Sequence, residues 1–210
     1  MQRKKLIIAV GIAALLWFFM FSPWTAGLVN FWIAMSCSAV VLTIVAVKFS
    51  GDLSFLKIEK PLFQLFAGIG IAAALWGVFW LGDKISSLIF SFARLSVDAV
   101  YSMKTGSSPE IIGILLFCLI GPAEELFWRG YVQRNAEGFF KNNQRTGAFL
   151  LTAIVYAMVH IWSFNFMLIL AALVAGLVWG FIYRMKPGLL PALILSHALW
   201  DVLVFVIFPI

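Results

Sequence analysis

Seven stretches of this chain run for about twenty residues with almost no charge, the length and character needed to cross a bilayer's hydrocarbon core. They are Leu6–Phe21, Gly27–Val47, Leu62–Leu81, Ile111–Val132, Gly147–Trp162, Phe166–Tyr183 and Leu189–Phe208. Hydrophobic residues make up 63% of the 210 and charged residues 11%, with mean hydropathy +1.04. Soluble domains carry roughly 45–50% and 25%. So little polar surface cannot cover so much apolar bulk in water, which excludes a soluble globular domain, a disordered chain and a disulfide scaffold. The expected fold is an all-α polytopic bundle of about seven transmembrane helices, built as one integral membrane domain over 1–210. The first apolar run follows Gln2-Arg3-Lys4-Lys5, and no small-x-small cleavage site precedes Pro23 and Trp24, so it reads as a retained span rather than a signal peptide.

Within Gly82–Pro109, residues Ile85, Leu88, Ile89, Phe92 and Leu95 recur at three- and four-residue steps. That spacing predicts an amphipathic helix on the membrane surface or on the bundle. Cys37 and Cys118 lie inside apolar runs and read as small buried hydrophobes, not as a disulfide.

The net charge is +6, and its distribution sets an orientation. With the amino terminus in the cytoplasm, inner loops hold eleven basic residues: Arg3, Lys4, Lys5, Lys48, Lys57, Lys60, Arg134, Lys141, Arg145, Arg184 and Lys186. Outer loops hold three, Lys84, Arg94 and Lys104, and Arg129 falls within a span. This bias puts the amino terminus in the cytoplasm and assigns the basic surplus to anionic lipid rather than nucleic acid, and a chain so short and poor in loops is expected in a cell's inner (cytoplasmic) membrane.

Charge inside a span costs about 2.5–3.5 kcal/mol per residue on insertion scales, so a membrane chain carries it for a reason. The first three spans have none in their interiors, whereas the last four hold Glu124, Glu125, Arg129, His160, His197 and Asp201. Residues 1–109 therefore read as scaffold and 110–210 as the site-bearing part. Pro122 removes a helical hydrogen bond and displaces the carbonyl of Cys118, so a kink is expected beside the glutamates. Glu125 and Arg129, spaced i, i+4, read as a supporting ion pair. Adjacent residues point about 100° apart on a helix, which leaves Glu124 facing elsewhere without a local partner. A buried carboxylate so placed suits general acid or base work. His197 and Asp201 are also i, i+4, so the carboxylate can hold the imidazole. His160 on another span makes a third polar group. Counted at 1.5 Å per residue, Glu124 and His197 lie roughly 10–14 Å from the inner face and His160 roughly 20 Å, so tilt must bring them together.

The chain has no His-Glu-x-x-His, no Gly-x-Ser-x-Gly and no glycine-rich phosphate loop. Ser196 points away from the face of its neighbour His197, and Cys118 is nearly two turns from Glu124. Three readings stay open on the residues alone. One is a hydrolase with a carboxylate-activated water. Another is a metallopeptidase whose zinc or other divalent ion would be held by Glu124, His160 and His197, with Asp201 nearby. The third is a non-enzymatic membrane immunity or partner protein, or a small transporter.

Glu124-Glu125-x-x-x-Arg129, Tyr156-x-x-x-His160 and His197-x-x-x-Asp201, in that order on successive apolar spans, resemble the three motifs of the CAAX protease and bacteriocin-processing (CPBP, or Abi) family, which includes the type II CAAX prenyl proteases. The resemblance covers roughly Ile111–Phe208. It implies an intramembrane glutamic endopeptidase acting, without a cofactor, on a membrane-associated or lipidated peptide. It also implies that Glu124 and His160 activate water while His197 and Asp201 stabilise the oxyanion. Two positions depart from the pattern. Tyr156 stands where Phe is usual. Asp201 stands where the eukaryotic-type prenyl proteases have Asn, and an ionised aspartate donates no hydrogen bond. Asp201 is therefore expected either to act protonated or to orient His197.

Overall fold

The computed structural model describes residues 2–210, and among these the only regular structure is helical. Seven helices are long and apolar enough to cross a membrane: α1 (Gln2–Phe21), α2 (Phe31–Ser50), α3 (Pro61–Ile89), α5 (Pro109–Phe139), α6 (Gln144–Ser163), α7 (Phe166–Met185) and α8 (Pro187–Ile207). A shorter helix, α4 (Ala93–Ser102), lies between α3 and α5. Local chemistry sets the ends. Asn30 caps α2 by accepting from the amides of Trp32 (2.9 Å) and Ile33 (3.3 Å), and Gly51 closes it at φ +70°. Ser108 and Asn165 cap α5 and α7 in the same way, and Pro61 and Pro109 occupy first turns where no amide is needed.

The stretch expected as one amphipathic helix is divided. Ile85, Leu88 and Ile89 belong to α3, which continues through Gly82-Asp83-Lys84; Phe92 sits in the break, and Leu95 lies in the first turn of α4. The helix runs on because nothing in that sequence breaks it. Its continuation brings Asp83, a buried carboxylate held at 3.4 Å by both Lys84 and Arg94, into the front half of the chain. Cys37 and Cys118 are free and exposed on the helix surface rather than buried.

The backbone around Pro122 departs from regular α-helix. The helix widens on both sides of the proline, with π-helical turns at Leu116–Ile120 and Leu126–Gln133. The Gly121 amide bonds the Leu116 carbonyl five residues back. A π turn absorbs an extra residue and turns the following side chains about the axis, which is why such turns recur at functional sites.

Lipid gives helices no hydrophobic reason to associate, so small residues at the contacts matter. A Cβ on Gly121 would lie 2.8 Å from Ala198 Cα, and one on Gly68 would lie 2.9 Å from the Ala192 carbonyl. Backbone thus meets backbone where α5 and α3 cross α8. Gly176 and Gly180 on α7 make room for side chains of α6 and α5, a Cβ on them lying 3.1 Å from the Tyr156 ring and 3.0 Å from that of Phe149.

Side chains tie the loops at each end of the bundle. At one end Gln2 bonds Asn135 (2.8 Å), Arg3 the Gly138 carbonyl (2.7 Å), Gln64 the Gly188 carbonyl (2.7 Å) and Arg184 Thr146 (3.0 Å). At the other, Trp32 bonds the Met103 carbonyl (3.0 Å), Asn165 that of Ser96 (2.7 Å) and Lys104 that of Phe205 (2.9 Å). The basic loops assigned to one membrane face therefore meet at one end.

Candidate functional site

Two glutamates adjacent in sequence occupy different environments in the bundle core. Glu125 is fully buried, and its Oε1 accepts from Arg129 Nη1 at 2.7 Å and from His197 Nδ1 at 2.9 Å. The first contact is the expected ion pair along one helix. The second joins α5 to α8, and the close approach at Gly121 makes it reachable. Arg129 is held further by aromatic faces, its guanidinium 5.1 Å from the Tyr156 ring centroid and 5.5 Å from that of Trp179. Trp179 also stacks on the His197 imidazole at 3.9 Å, while its indole N–H donates to Ser196 Oγ at 3.1 Å.

Sequence spacing assigns Asp201 as the partner of His197. In the structure the closer partner is Glu125; Asp201 Oδ2 stands 3.6 Å from Nε2, beyond a good hydrogen bond. Helical spacing permits an i, i+4 contact but does not compel it, and Glu125 Oε1 on α5, itself held by Arg129, comes closer to the imidazole.

Glu124, without a local partner on its own helix, finds one on another. The Tyr156 hydroxyl on α6 donates to its Oε2 at 2.8 Å. This hydroxyl is what distinguishes Tyr156 from the Phe expected at that position.

His160, one turn beyond Tyr156, is reached differently from what its motif implies. Its Nδ1 lies 2.8 Å from the Tyr156 backbone carbonyl, and its Nε2 accepts from the Trp17 indole N–H at 3.0 Å. Tyr156 thus links Glu124 and His160, through its hydroxyl and its carbonyl respectively. No direct hydrogen bond joins Glu124 and His160 among the described residues. Trp17 lies on α1, in the half of the chain read as scaffold. Sequence reasoning missed it, since a tryptophan in an apolar span carries no mark separating a core or interface residue from a site residue.

Could these side chains hold a metal ion? Among the described residues no group of three His, Cys, Asp or Glu side chains gathers as an ion would require. The donor chemistry gives the reason. Both nitrogens of His160 are committed, one to a carbonyl and one to an indole, and Nδ1 of His197 is held by Glu125. The set Glu124, His160 and His197 does not fit a zinc site in this arrangement.

The geometry thus offers a carboxylate with one free oxygen (Glu124), an imidazole with an uncommitted Nε2 edge (His197) and a carboxylate beside it (Asp201), all buried. Neither curated proteins nor solved structures provide a match to the chain. Residues 106–203 match a protein-family model described as type II CAAX prenyl endopeptidase Rce1-like, a stretch that contains every one of these groups except Trp17.

Proposed function

We propose that the chain is an intramembrane endopeptidase, because residues 106–203 match the model of the Rce1-like type II CAAX prenyl endopeptidases, a family of proteases. Its substrate is a membrane-associated or lipidated protein or peptide, cut near its carboxyl terminus. One observation carries this reading. A buried glutamate with one oxygen held by Tyr156 and the other open stands next in sequence to a second glutamate that fixes His197.

Hydrolysis needs a nucleophilic water, a group to take its proton and donors where negative charge develops. In this scheme Glu124 takes the proton from water as the oxygen attacks the peptide carbonyl. Tyr156 fixes the rotamer of Glu124, leaving Oε1 to face the water. Between Glu125 at Nδ1 and Asp201 at Nε2, His197 is protonated and donates from Nε2 to the carbonyl oxygen as it becomes an oxyanion. Asp201 then supports the charge on the imidazole and need not donate itself. Glu124 returns the proton to the leaving amine, which balances the reaction. His160 assists Glu124 in water activation once its Nε2 is free. Arg129 positions Glu125 and touches no reacting atom.

The test is Glu124→Gln. It keeps the acceptor for the Tyr156 hydroxyl and removes the proton acceptor. The variant is expected to fold and melt like the parent in detergent while cleavage of membrane-protein carboxyl termini is lost. Undiminished cleavage by a folded Glu124→Gln protein would overturn the assignment.

A further inference from the structure

We propose that Trp17 is a latch on His160: its indole N–H occupies the imidazole nitrogen that water activation requires, so the structure shows the site at rest. This rests on the peptidase reading for its activity consequence, although the hydrogen bond itself does not.

The argument follows from which partners can donate. A backbone carbonyl only accepts, so the 2.8 Å contact with the Tyr156 carbonyl places a proton on Nδ1 of His160. An indole N–H only donates, so the 3.0 Å contact from Trp17 requires a lone pair on Nε2. The two contacts together fix one neutral tautomer and exclude the imidazolium, whose Nε2–H would face the indole N–H head on. A base works through a free lone pair, and His160 has none while Trp17 is in place. Both residues are buried, so no bulk water competes for the bond. Their rings meet edge to face with centroids 5.8 Å apart, and Trp17 also packs edge to face on Trp128, 6.4 Å away.

The latch comes from a different part of the chain. Trp17 lies outside the family-matching stretch, and α1 is tied at its opposite end by Gln2 to Asn135 and Arg3 to the Gly138 carbonyl. Near Trp17 the helix is held to α6 by aromatic contacts, Phe18 against Trp162 at 4.9 Å among them. A tilt of α1 about its fixed end withdraws the indole without breaking the polar ties.

The chain has two histidines, so imidazole nitrogen spectra of ¹⁵N-histidine-labelled protein can be assigned by comparison with a His197→Gln protein. In the parent, His160 is expected to show a protonated Nδ1 and an unprotonated Nε2 shifted by hydrogen bonding. Trp17→Phe removes the donor and keeps an aromatic ring; the Nε2 signal should move to the position of a free lone pair, with His197 unmoved. Cleavage should rise about two- to tenfold, the range expected for one neutral hydrogen bond. An unchanged His160 signal, or a protonated Nε2 in the parent, would overturn the latch. So would a freed Nε2 accompanied by slower cleavage, which would make Trp17 a support for the active geometry. If Trp17→Phe fails to fold, replacing Trp17 by benzothienylalanine substitutes sulfur for the N–H at nearly constant shape, and the same outcomes apply. Failure of the peptidase reading shows separately, as cleavage retained by Glu124→Gln.

Discussion

Glu124 and Glu125 demonstrate how far one helical step separates two identical side chains. Glu125 balances the Arg129 guanidinium and the His197 ring, and removing its charge leaves Arg129 buried without a counter-charge. Breaking such a pair costs about 3–5 kcal/mol, whereas replacing both members with apolar groups is often neutral. Glu125→Gln is therefore expected to lower the melting temperature in detergent sharply. Glu125→Gln combined with Arg129→Met should recover much of that stability yet remain inactive, because His197 is no longer held. Thermal melts of the three proteins, with cleavage assayed on each, check this. A Glu125→Gln protein as stable as the parent would show that the ion pair does not hold the bundle. The ion pair was legible in the sequence because its partners are four residues apart on one helix. The bonds from Tyr156 to Glu124 and from His197 to Glu125 were not, since each joins helices whose relative rotation no local spacing determines.

Helix α5 brings Glu124 and Glu125 into the candidate site through its hydrogen-bond register and its glycines. Hydropathy located this span, but a π turn has the same composition as an α turn, so the widening at Leu116–Ile120 and Leu126–Gln133 could not be read from residue types. Pro122 signalled a kink and gave no sign of the π turns that flank it. Similarly, Asp83 and Lys84 read as the end of the third span, yet charge ends a membrane crossing without ending a helix. Gly121 is the sharpest point of contact. The nearest atoms to a Cβ there are the Ala198 backbone at 2.8 and 2.9 Å, which cannot rotate away. Gly121→Ala is expected to push α5 from α8, cost about 1–3 kcal/mol and reduce cleavage about tenfold or more by parting Glu125 from His197. On the same helix a Cβ at Gly113 would meet only Val206 Cγ2 at 3.7 Å, an ordinary contact. Gly113→Ala is the matched control and should leave melting and cleavage near parental values. Equal effects from both alanines would assign the loss to the change in helix composition rather than to the α5–α8 contact.

The order and number of the spans were legible because bilayer thickness imposes one length on every crossing, whatever the packing inside. Packing among the spans obeys no such rule, and it is there that α1 reaches His160 through Trp17. Orientation follows from charge. The ties from Gln2 to Asn135, from Arg184 to Thr146 and from Gln64 to the Gly188 carbonyl put the amino terminus, the α5–α6 turn, the α7–α8 turn and the start of α3 at one end, and the expected cytoplasmic basic residues lie in or beside those segments. Glu124 is ten residues before Arg134, about 15 Å along the helix from that end. Anionic lipid on the cytoplasmic leaflet attracts such an end, so we expect it to face the cytoplasm and the peptide to approach Glu124 from that side. Single cysteines decide this in a protein whose native Cys37 and Cys118 are replaced by alanine. Asn142→Cys lies in the α5–α6 turn and Thr105→Cys in the α4–α5 turn, both exposed and at opposite ends of the bundle. On intact cells a membrane-impermeant thiol reagent should label Thr105→Cys at once and Asn142→Cys only after the membrane is opened. The reverse pattern would place the basic end outside, and a substrate entering from the cytoplasm would then have to reach Glu124 past α4 and the Trp17 end of α1.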